Sequence, residues 1–127
     1  MKKKNSTVNL EELTAAEKAA MIVEKADDAK AHEIEDLDIR AKSSVTSHIV
    51  VCTGTSDTHM KSVADKVEEG MKEHGVRPIR RDKVSGSGWL LLDYGDVIFH
   101  VMLEEKRQFY DLETLWTTME PNPDLVD

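Results

Sequence analysis

The residues whose types could support chemistry begin with a small-residue turn, Gly54-Thr55-Ser56-Asp57, between a predicted strand and a predicted helix. Exposed amides at a helix N-terminus can bind phosphate. A single glycine with no lysine after it is neither a P-loop nor a dinucleotide-binding fingerprint. Thr, Ser and Asp are also the usual helix-capping residues, so we favour capping over phosphate binding here.

A metal-dependent nucleotidyl transfer would combine this turn with Asp93 and Asp96. Such enzymes hold two magnesium ions between paired carboxylates, and carboxylates on one strand share a face only at a spacing of two. Asp93 and Asp96 are three apart and flank Gly95, so turn acids that bond their own backbone explain them better. We expect neither a metal site nor a catalytic residue here. A nucleotidyltransferase-fold enzyme or a nucleotide-binding protein is kept as the alternative function.

The histidines and the single cysteine do not form a metal-binding pattern. His48 and Cys52 share a predicted strand face but lie about 13 Å apart, too far to reach one zinc ion. His100 alternates with Ile98 and Met102, which indicates a buried or partner-facing polar residue rather than a general base. We therefore expect no cofactor. One cysteine excludes an internal disulfide and fits a reducing compartment.

Two aromatic residues are candidates for binding. Trp89 follows a Ser/Gly-rich connection and begins a predicted hairpin strand that leads to Tyr94. Exposed aromatics are preferred binding anchors, whereas a tryptophan is usually largely buried, so both interpretations of Trp89 stay open. Residues 104–107, Glu-Glu-Lys-Arg, are interpreted as a solvated helix face with local ion pairs.

Hydrophobic periodicity predicts the elements that position these residues. Thr14 and Glu17 form a capping-box pattern, and apolar residues at helical spacing continue to about Ala31. The clearest helix is capped by Thr55 or Ser56. Its apolar stripe is Met60, Val63, Ala64, Val67 and Met71. A C-terminal amphipathic helix is predicted from Phe109, Leu112, Leu115, Trp116 and Met119.

Five short segments are predicted to be strands, two of them in a hairpin around Tyr94-Gly95-Asp96. Pro78 places one strand at a sheet edge, because proline lacks the N–H that a central strand donates. The strands are residues 36–40, 47–53, 76–81, 89–93 and 97–103. The order αββαβββα favours a single α/β (α+β) domain, with a mixed sheet of about five strands flanked by helices.

Composition limits the function classes. The chain has 127 residues, enough for one ordinary domain, and a net charge of −8. That balance argues against general or sequence-specific nucleic-acid binding, which needs a Lys/Arg surface. Apolar runs are far shorter than the roughly 20 residues that span a bilayer, so we predict a soluble, cytoplasmic protein. We expect a flexible N-terminus (1–9), a domain (10–119) and an acidic tail (120–127).

Several sequence motifs occur together in a fixed order. They are Lys42-Ser-Ser-Val-Thr46, Val51-Cys-Thr-Gly-Thr-Ser-Asp57, Ala64-Asp-Lys-Val-Glu68, Gly88-Trp-Leu-Leu-Leu-Asp-Tyr-Gly-Asp-Val-Ile-Phe-His-Val101 and Glu104-Glu-Lys-Arg-Gln-Phe-Tyr-Asp-Leu-Glu-Thr-Leu-Trp116. Over roughly residues 15–117 the chain resembles the ribosomal silencing factor family, also called Iojap-related proteins. The order and spacing of these motifs make the resemblance specific, unlike any one of the motifs alone.

The resemblance implies a five-stranded mixed sheet, distantly nucleotidyltransferase-like but without catalytic carboxylates, and a non-enzymatic role. It implies binding to the large ribosomal subunit through its fourteenth protein, steric blocking of small-subunit joining, and a homodimer when free. An acidic chain suits a basic ribosomal protein. A dimeric adaptor that self-associates through Trp89 and Trp116 is a further alternative.

Partner-binding residues are assigned from the same matched motifs. Trp89 and Tyr94 are the expected anchors, and Asp93 and Asp96 are the expected charged partners. Further candidates are His100, Glu104, Lys106 and Tyr110.

Overall fold

A five-stranded sheet carries two long helices on one face and two short helices on the other. The computed structural model describes residues 13–84 and 88–118. The elements in chain order are α1 (Ala15–Asp28), β1 (His32–Asp38), β2 (His48–Thr53), α2 (Asp57–Lys72), β3 (Arg80–Lys83), β4 (Trp89–Asp93), β5 (Val97–Met102), α3 (Glu104–Tyr110) and α4 (Leu112–Thr118). The predicted N-terminal segment 1–9, Met119 and the acidic tail 120–127 lie outside the described residues.

The sheet is mixed, as predicted, with strand order β1-β2-β5-β4-β3. The predicted hairpin is confirmed: β4 and β5 pair in antiparallel register, with Trp89 opposite Met102 and Asp93 opposite Ile98. The single parallel pairing within the described residues joins β2 to β5 and places Val50 opposite Phe99. All six residues of β2 are buried, because strands flank it and side chains cover both of its faces.

Helices α1 and α2 begin at the caps that the sequence predicts. The Thr14 hydroxyl accepts a hydrogen bond from the Glu17 amide (3.1 Å), and the Glu17 carboxylate accepts one from the Thr14 amide (2.9 Å). Ser56 caps α2 by accepting from the His59 amide (3.0 Å). Both helices then bury their apolar stripes against the sheet, as the 3.6-residue period requires. Fully buried members of this first core include Ile22, Val63, Val67, Val97 and Phe99.

The opposite face of the sheet holds a second, smaller core. Its buried members are Ile39, Ile49, Val51, Trp89 and Met102. Leu112 and Trp116 of α4 pack against it while remaining half-buried. The two short C-terminal helices therefore cover part of a face that the longer helices leave open.

The two edge strands differ from the predicted segments. β1 covers His32–Asp38, earlier and longer than predicted, with a register irregularity between His32 and Glu35. β3 is an edge strand as predicted, but it covers Arg80–Lys83 and begins only after Pro78. All four residues of β3 are charged, and the apolar residues of β1 are only Ile34 and Leu37, which is common where one strand edge faces water. Because most positions of these edge strands are exposed and polar, their sequences show little of the apolar–polar alternation that identifies a strand.

The predicted continuous C-terminal helix is wrong. Asp111 adopts a left-handed conformation (φ 46°, ψ 58°) that ends α3, and α4 starts at the next residue. The break rotates α4 relative to α3, so the predicted apolar stripe does not share one face. Phe109 is 79% exposed and Leu115 is 49% exposed.

Candidate functional site

The eight residues predicted to bind a partner lie in two places rather than one. Five of them lie near the start of β4, on the neighbouring β5 and along α3: Trp89, His100, Glu104, Lys106 and Tyr110. The other three, Asp93, Tyr94 and Asp96, lie at the β4–β5 turn. Trp89 and Asp93 are four residues apart on β4, which corresponds to about 13 Å. We call these two places the helix end and the turn end of the hairpin.

At the helix end, Trp89 and His100 form a buried pair. Both residues are only 8% exposed, and the Trp89 indole Nε1 donates a hydrogen bond to His100 Nδ1 at 2.9 Å. Burial lowers the pKa of His100 to about 4, so the imidazole is neutral at pH 7 and can accept this bond. The core interpretation of Trp89 is therefore correct, and His100 is a buried polar residue.

Tyr110 covers this pair from the solvent side. Its ring centroid lies 4.7 Å from that of Trp89, and Tyr110 itself is 38% exposed. Glu104 is exposed at the start of α3 and accepts a hydrogen bond from Gln108 Nε2 at 2.7 Å. Lys106 lies half-buried over Gly88, whose positive φ (81°) suits glycine. Glu104, Lys106 and Tyr110 are thus the solvent-facing members at the helix end.

The sequence interpretation missed the role of Arg107, a buried residue with several side-chain hydrogen bonds. The solvated-face interpretation of residues 104–107 is wrong for it, since Arg107 is only 7% exposed. Its guanidinium donates to Glu113 Oε2 at 2.6 and 2.9 Å and to Thr53 Oγ1 at 2.9 Å. It therefore ties α3 to both α4 and β2. Partners 6 and 54 residues away leave no periodic signal in the sequence.

At the turn end, the acids make local contacts. Asp93 Oδ1 accepts a hydrogen bond from the Gly95 amide at 2.8 Å, which confirms the turn-acid interpretation for Asp93. Asp96 instead forms an ion pair with Lys18 of α1 at 3.2 Å. Gly95 has a positive φ (86°), and its carbonyl accepts a hydrogen bond from the Thr46 hydroxyl at 3.1 Å. The turn is therefore fixed by contacts to two other segments.

Tyr94 is buried on the α1–α2 side of the sheet and is 6% exposed. Its hydroxyl is buried and makes no hydrogen bond within the described residues. Burial raises the pKa of this phenol well above its usual range, and the nearby Glu68 acts in the same direction. A buried donor without an acceptor lowers stability, because it gives up its hydrogen bonds to water.

We expect the Tyr94→Phe variant to be as stable as the wild type or up to about 2 kcal/mol more stable, since it removes an unsatisfied hydroxyl. Urea denaturation followed by circular dichroism measures this difference. If the hydroxyl serves a partner instead, Tyr94→Phe weakens partner binding while stability holds. A clear loss of stability would contradict the unsatisfied hydroxyl.

The remaining polar candidates have structural partners. His59 Nδ1 accepts from the Thr55 amide at 3.0 Å, and its Nε2 donates to the Ala29 carbonyl at 3.0 Å. His48 Nδ1 lies 2.9 Å from Asp36 Oδ1. Cys52 is buried, which raises the pKa of its thiol to about 12. Over residues 13–84 and 88–118, no group of three or more His, Cys, Asp or Glu side chains is arranged to hold a metal ion.

No helix among the described residues has the length and hydropathy to cross a bilayer.

Comparison with known proteins identifies the fold and the motifs together. The model of the family described as "Ribosomal silencing factor during starvation" matches residues 12–127. The chain belongs to this family. Ribosomal silencing factor RsfS of Chromobacterium violaceum is 34% identical over 102 residues, covering 80% of this chain and 84% of that protein. RsfS of Bacillus subtilis is 32% identical over 90 residues, covering 71% and 76%.

Other relatives include a mouse protein named "Mitochondrial assembly of ribosomal large subunit protein 1", which is 29% identical over 100 residues. That match covers 76% of this chain and 44% of the mouse protein. A crystal structure of a Chromobacterium violaceum protein superimposes with a TM-score of 0.78 at 33% identity, covering 87% of this chain and 92% of that one. The fold described above is therefore that of the silencing-factor family.

Proposed function

We propose that this protein represses translation by binding the large ribosomal subunit through its fourteenth protein and sterically blocking small-subunit joining. The family match over residues 12–127 carries this proposal. The name of the mouse relative, which refers to the ribosomal large subunit, supports the choice of subunit. Steric blocking needs a rigid folded body in the right place and no chemical step.

The proposed partner surface uses the two ends of the hairpin differently. At the helix end, Glu104, Lys106 and Tyr110 are the residues that face solvent. Trp89 and His100 lie beneath Tyr110 and hold it in place through ring contacts and their mutual hydrogen bond. These two are therefore positioning residues in the proposal.

At the turn end, the carboxylates of Asp93 and Asp96 are 21% and 34% exposed and are already paired with Arg80 and Lys18. A basic partner would compete with these cations for the two carboxylates. Tyr94 lies beneath the turn and is buried. We propose the turn end as the second part of the same contact.

Gradient sedimentation tests the proposal. We expect the wild-type protein to migrate with purified large subunits and not with small subunits, and to reduce the amount of complete ribosome formed when the two subunits are rejoined. Trp89→Ala is unsuitable as a binding probe, because truncating a buried tryptophan costs about 3–5 kcal/mol of stability. Tyr110→Ser and Asp96→Ser are better probes of the two ends. Migration with neither subunit would overturn the proposal.

We also propose that the free protein is a cytoplasmic homodimer. Light scattering coupled to size-exclusion chromatography measures its mass in solution. A mass equal to one 14.3 kDa chain at micromolar concentration would contradict the dimer.

A second candidate function, nucleotide binding, is favoured by one cavity. It has a volume of about 780 Å³ and lies beside the N-terminus of α2, with Lys61, Arg81 and Lys83 in its wall. Asp57 and Asp82 also line it, whereas Asp93 and Asp96 are not among its described lining residues. Titration calorimetry with magnesium and ATP tests this candidate. No heat of binding at millimolar nucleotide would remove it.

A further inference from the structure

The most exposed aromatic side chain among the described residues is one that the sequence pattern places in the core. Phe109 was predicted to belong to a buried stripe, yet it is 79% exposed, and Leu115 on α4 is 49% exposed. Large apolar side chains at a helix surface are frequent anchors of protein interfaces. Phe109 lies on the face of α3 that is not packed, while Arg107 is the buried residue of this helix, and the left-handed Asp111 ends α3 directly after Tyr110.

Phe109 is connected to the core through a series of ring contacts. Its centroid lies 5.0 Å from that of Tyr110, Tyr110 lies 4.7 Å from Trp89, and Trp89 lies 5.7 Å from His100. The inner two rings are buried and joined by a hydrogen bond. A partner that contacts Phe109 and Tyr110 therefore meets one ring, Tyr110, that is already packed between two others, which lowers the entropy lost on binding.

The wall of an acidic groove includes residues of α3, the helix that carries Phe109 and Tyr110. The groove has a volume of about 370 Å³, and Gln108 and Asp111, which flank Phe109 and Tyr110 in the chain, are part of its wall. Its carboxylates are Glu33, Glu35, Glu104, Asp111 and Glu113. Arg107 also lines the groove, but its guanidinium is already bound to Glu113. The groove therefore carries a clear excess of negative charge.

We propose that Phe109 and this groove form the docking surface for a basic protein segment that presents an apolar side chain between Lys or Arg residues. The apolar side chain packs on Phe109 and Tyr110, and the cations enter the groove. Excess carboxylates disfavour RNA, whose phosphates need Lys and Arg. The inference rests on the proposed function, in which the segment belongs to a basic protein of the large subunit.

Paired variants at single positions test the surface by co-sedimentation with purified large subunits. Phe109→Ser removes the apolar ring and should weaken binding about tenfold or more, whereas Phe109→Leu keeps an apolar surface and should stay within about threefold of wild type. Phe109 is exposed, so the circular dichroism melting curves of both variants should coincide with that of the wild type.

The groove is tested by a charge reversal and its matched control. Glu35→Lys, in the groove, should weaken binding about tenfold and make it less sensitive to added KCl, because it removes part of the electrostatic attraction. Glu69→Lys makes the same change on an exposed position of α2, on the other face of the sheet, and should leave binding unchanged.

The outcomes separate this inference from the proposed function. Wild-type protein that does not sediment with large subunits overturns the proposed function. Normal wild-type binding together with normal binding of Phe109→Ser and Glu35→Lys overturns the docking surface alone. If Phe109→Ser converts a dimer to a monomer while subunit binding is kept, the surface joins two copies of this chain and the inference is overturned. Wild-type crosslinks from this surface to ribosomal RNA rather than protein also overturn it.

Discussion

The Arg107→Ala variant is expected to unfold with a free energy about 3 kcal/mol lower than that of the wild type. Arg107 is buried, and its guanidinium makes three side-chain hydrogen bonds, two to Glu113 and one to Thr53. Removing it leaves the Glu113 carboxylate, which is 28% exposed, without its cation beside the second core. The substitution also removes a tie to α4, which has no fully buried residue and otherwise packs on the second core through Leu112 and Trp116.

Arg40 provides the matched control. It also forms a two-pronged ion pair, from Nε and Nη2 to the Asp38 carboxylate, and this pair holds the pKa of Asp38 at about 2. Its side chain is 69% exposed, however, so water replaces the lost partner when it is removed. We expect Arg40→Ala to cost less than about 1 kcal/mol in the same urea titration. Equal losses for the two variants would show that burial does not set the strength of the Arg107 contacts.

The second large effect is a loss of stability in acid that depends on His100. The pKa of this imidazole is about 4 in the folded protein, against 6.5 in an unfolded chain. Between these two values the unfolded state binds more protons than the folded state, so stability falls as the pH falls. From pH 7.5 to pH 5 this single group removes about 2 kcal/mol.

His100→Asn isolates that contribution. The asparagine carbonyl can still accept the hydrogen bond from the Trp89 indole, but it does not titrate in this range. The loss of unfolding free energy between pH 7.5 and pH 5 should therefore shrink by about 2 kcal/mol relative to wild type. The same substitution at His74, which is solvent-exposed, should retain most of the acid loss. Identical pH profiles for His100→Asn and wild type would contradict a neutral buried imidazole.

The parts of the fold that were predicted correctly are encoded by neighbouring residues. Helix α2 follows from one apolar stripe between a Ser56 cap and the glycine-containing end, and the β4–β5 hairpin follows from two apolar runs around Gly95. In each case the pattern and the structure share the same period. The number of strands in the sheet follows from counting the five predicted strand segments.

The parts that could not be predicted depend on contacts between distant segments. Arg107 of α3 donates to Thr53 of β2, 54 residues away, and the cluster that contains Trp89 is covered by Leu112 and Trp116 of α4. A left-handed Asp111 interrupts the C-terminal helix without a glycine or proline to announce it. The apolar period that grouped Phe109 with residues of α4 therefore runs across two separate helices, and Phe109 is exposed on the first of them.

The parallel pairing of β2 with β5 has a consequence for the order of folding. The centre of the sheet closes only when Val50 meets Phe99, which lies beyond α2 and the first half of the hairpin. Closing so long a loop is entropically costly, and topologies of this kind fold more slowly than local hairpins. During synthesis, the sheet that includes β1 and packs against α1 and α2 cannot be completed until β5 has emerged from the ribosome that is making the chain. A chain released before residue 102 would lack the strand that joins its two halves.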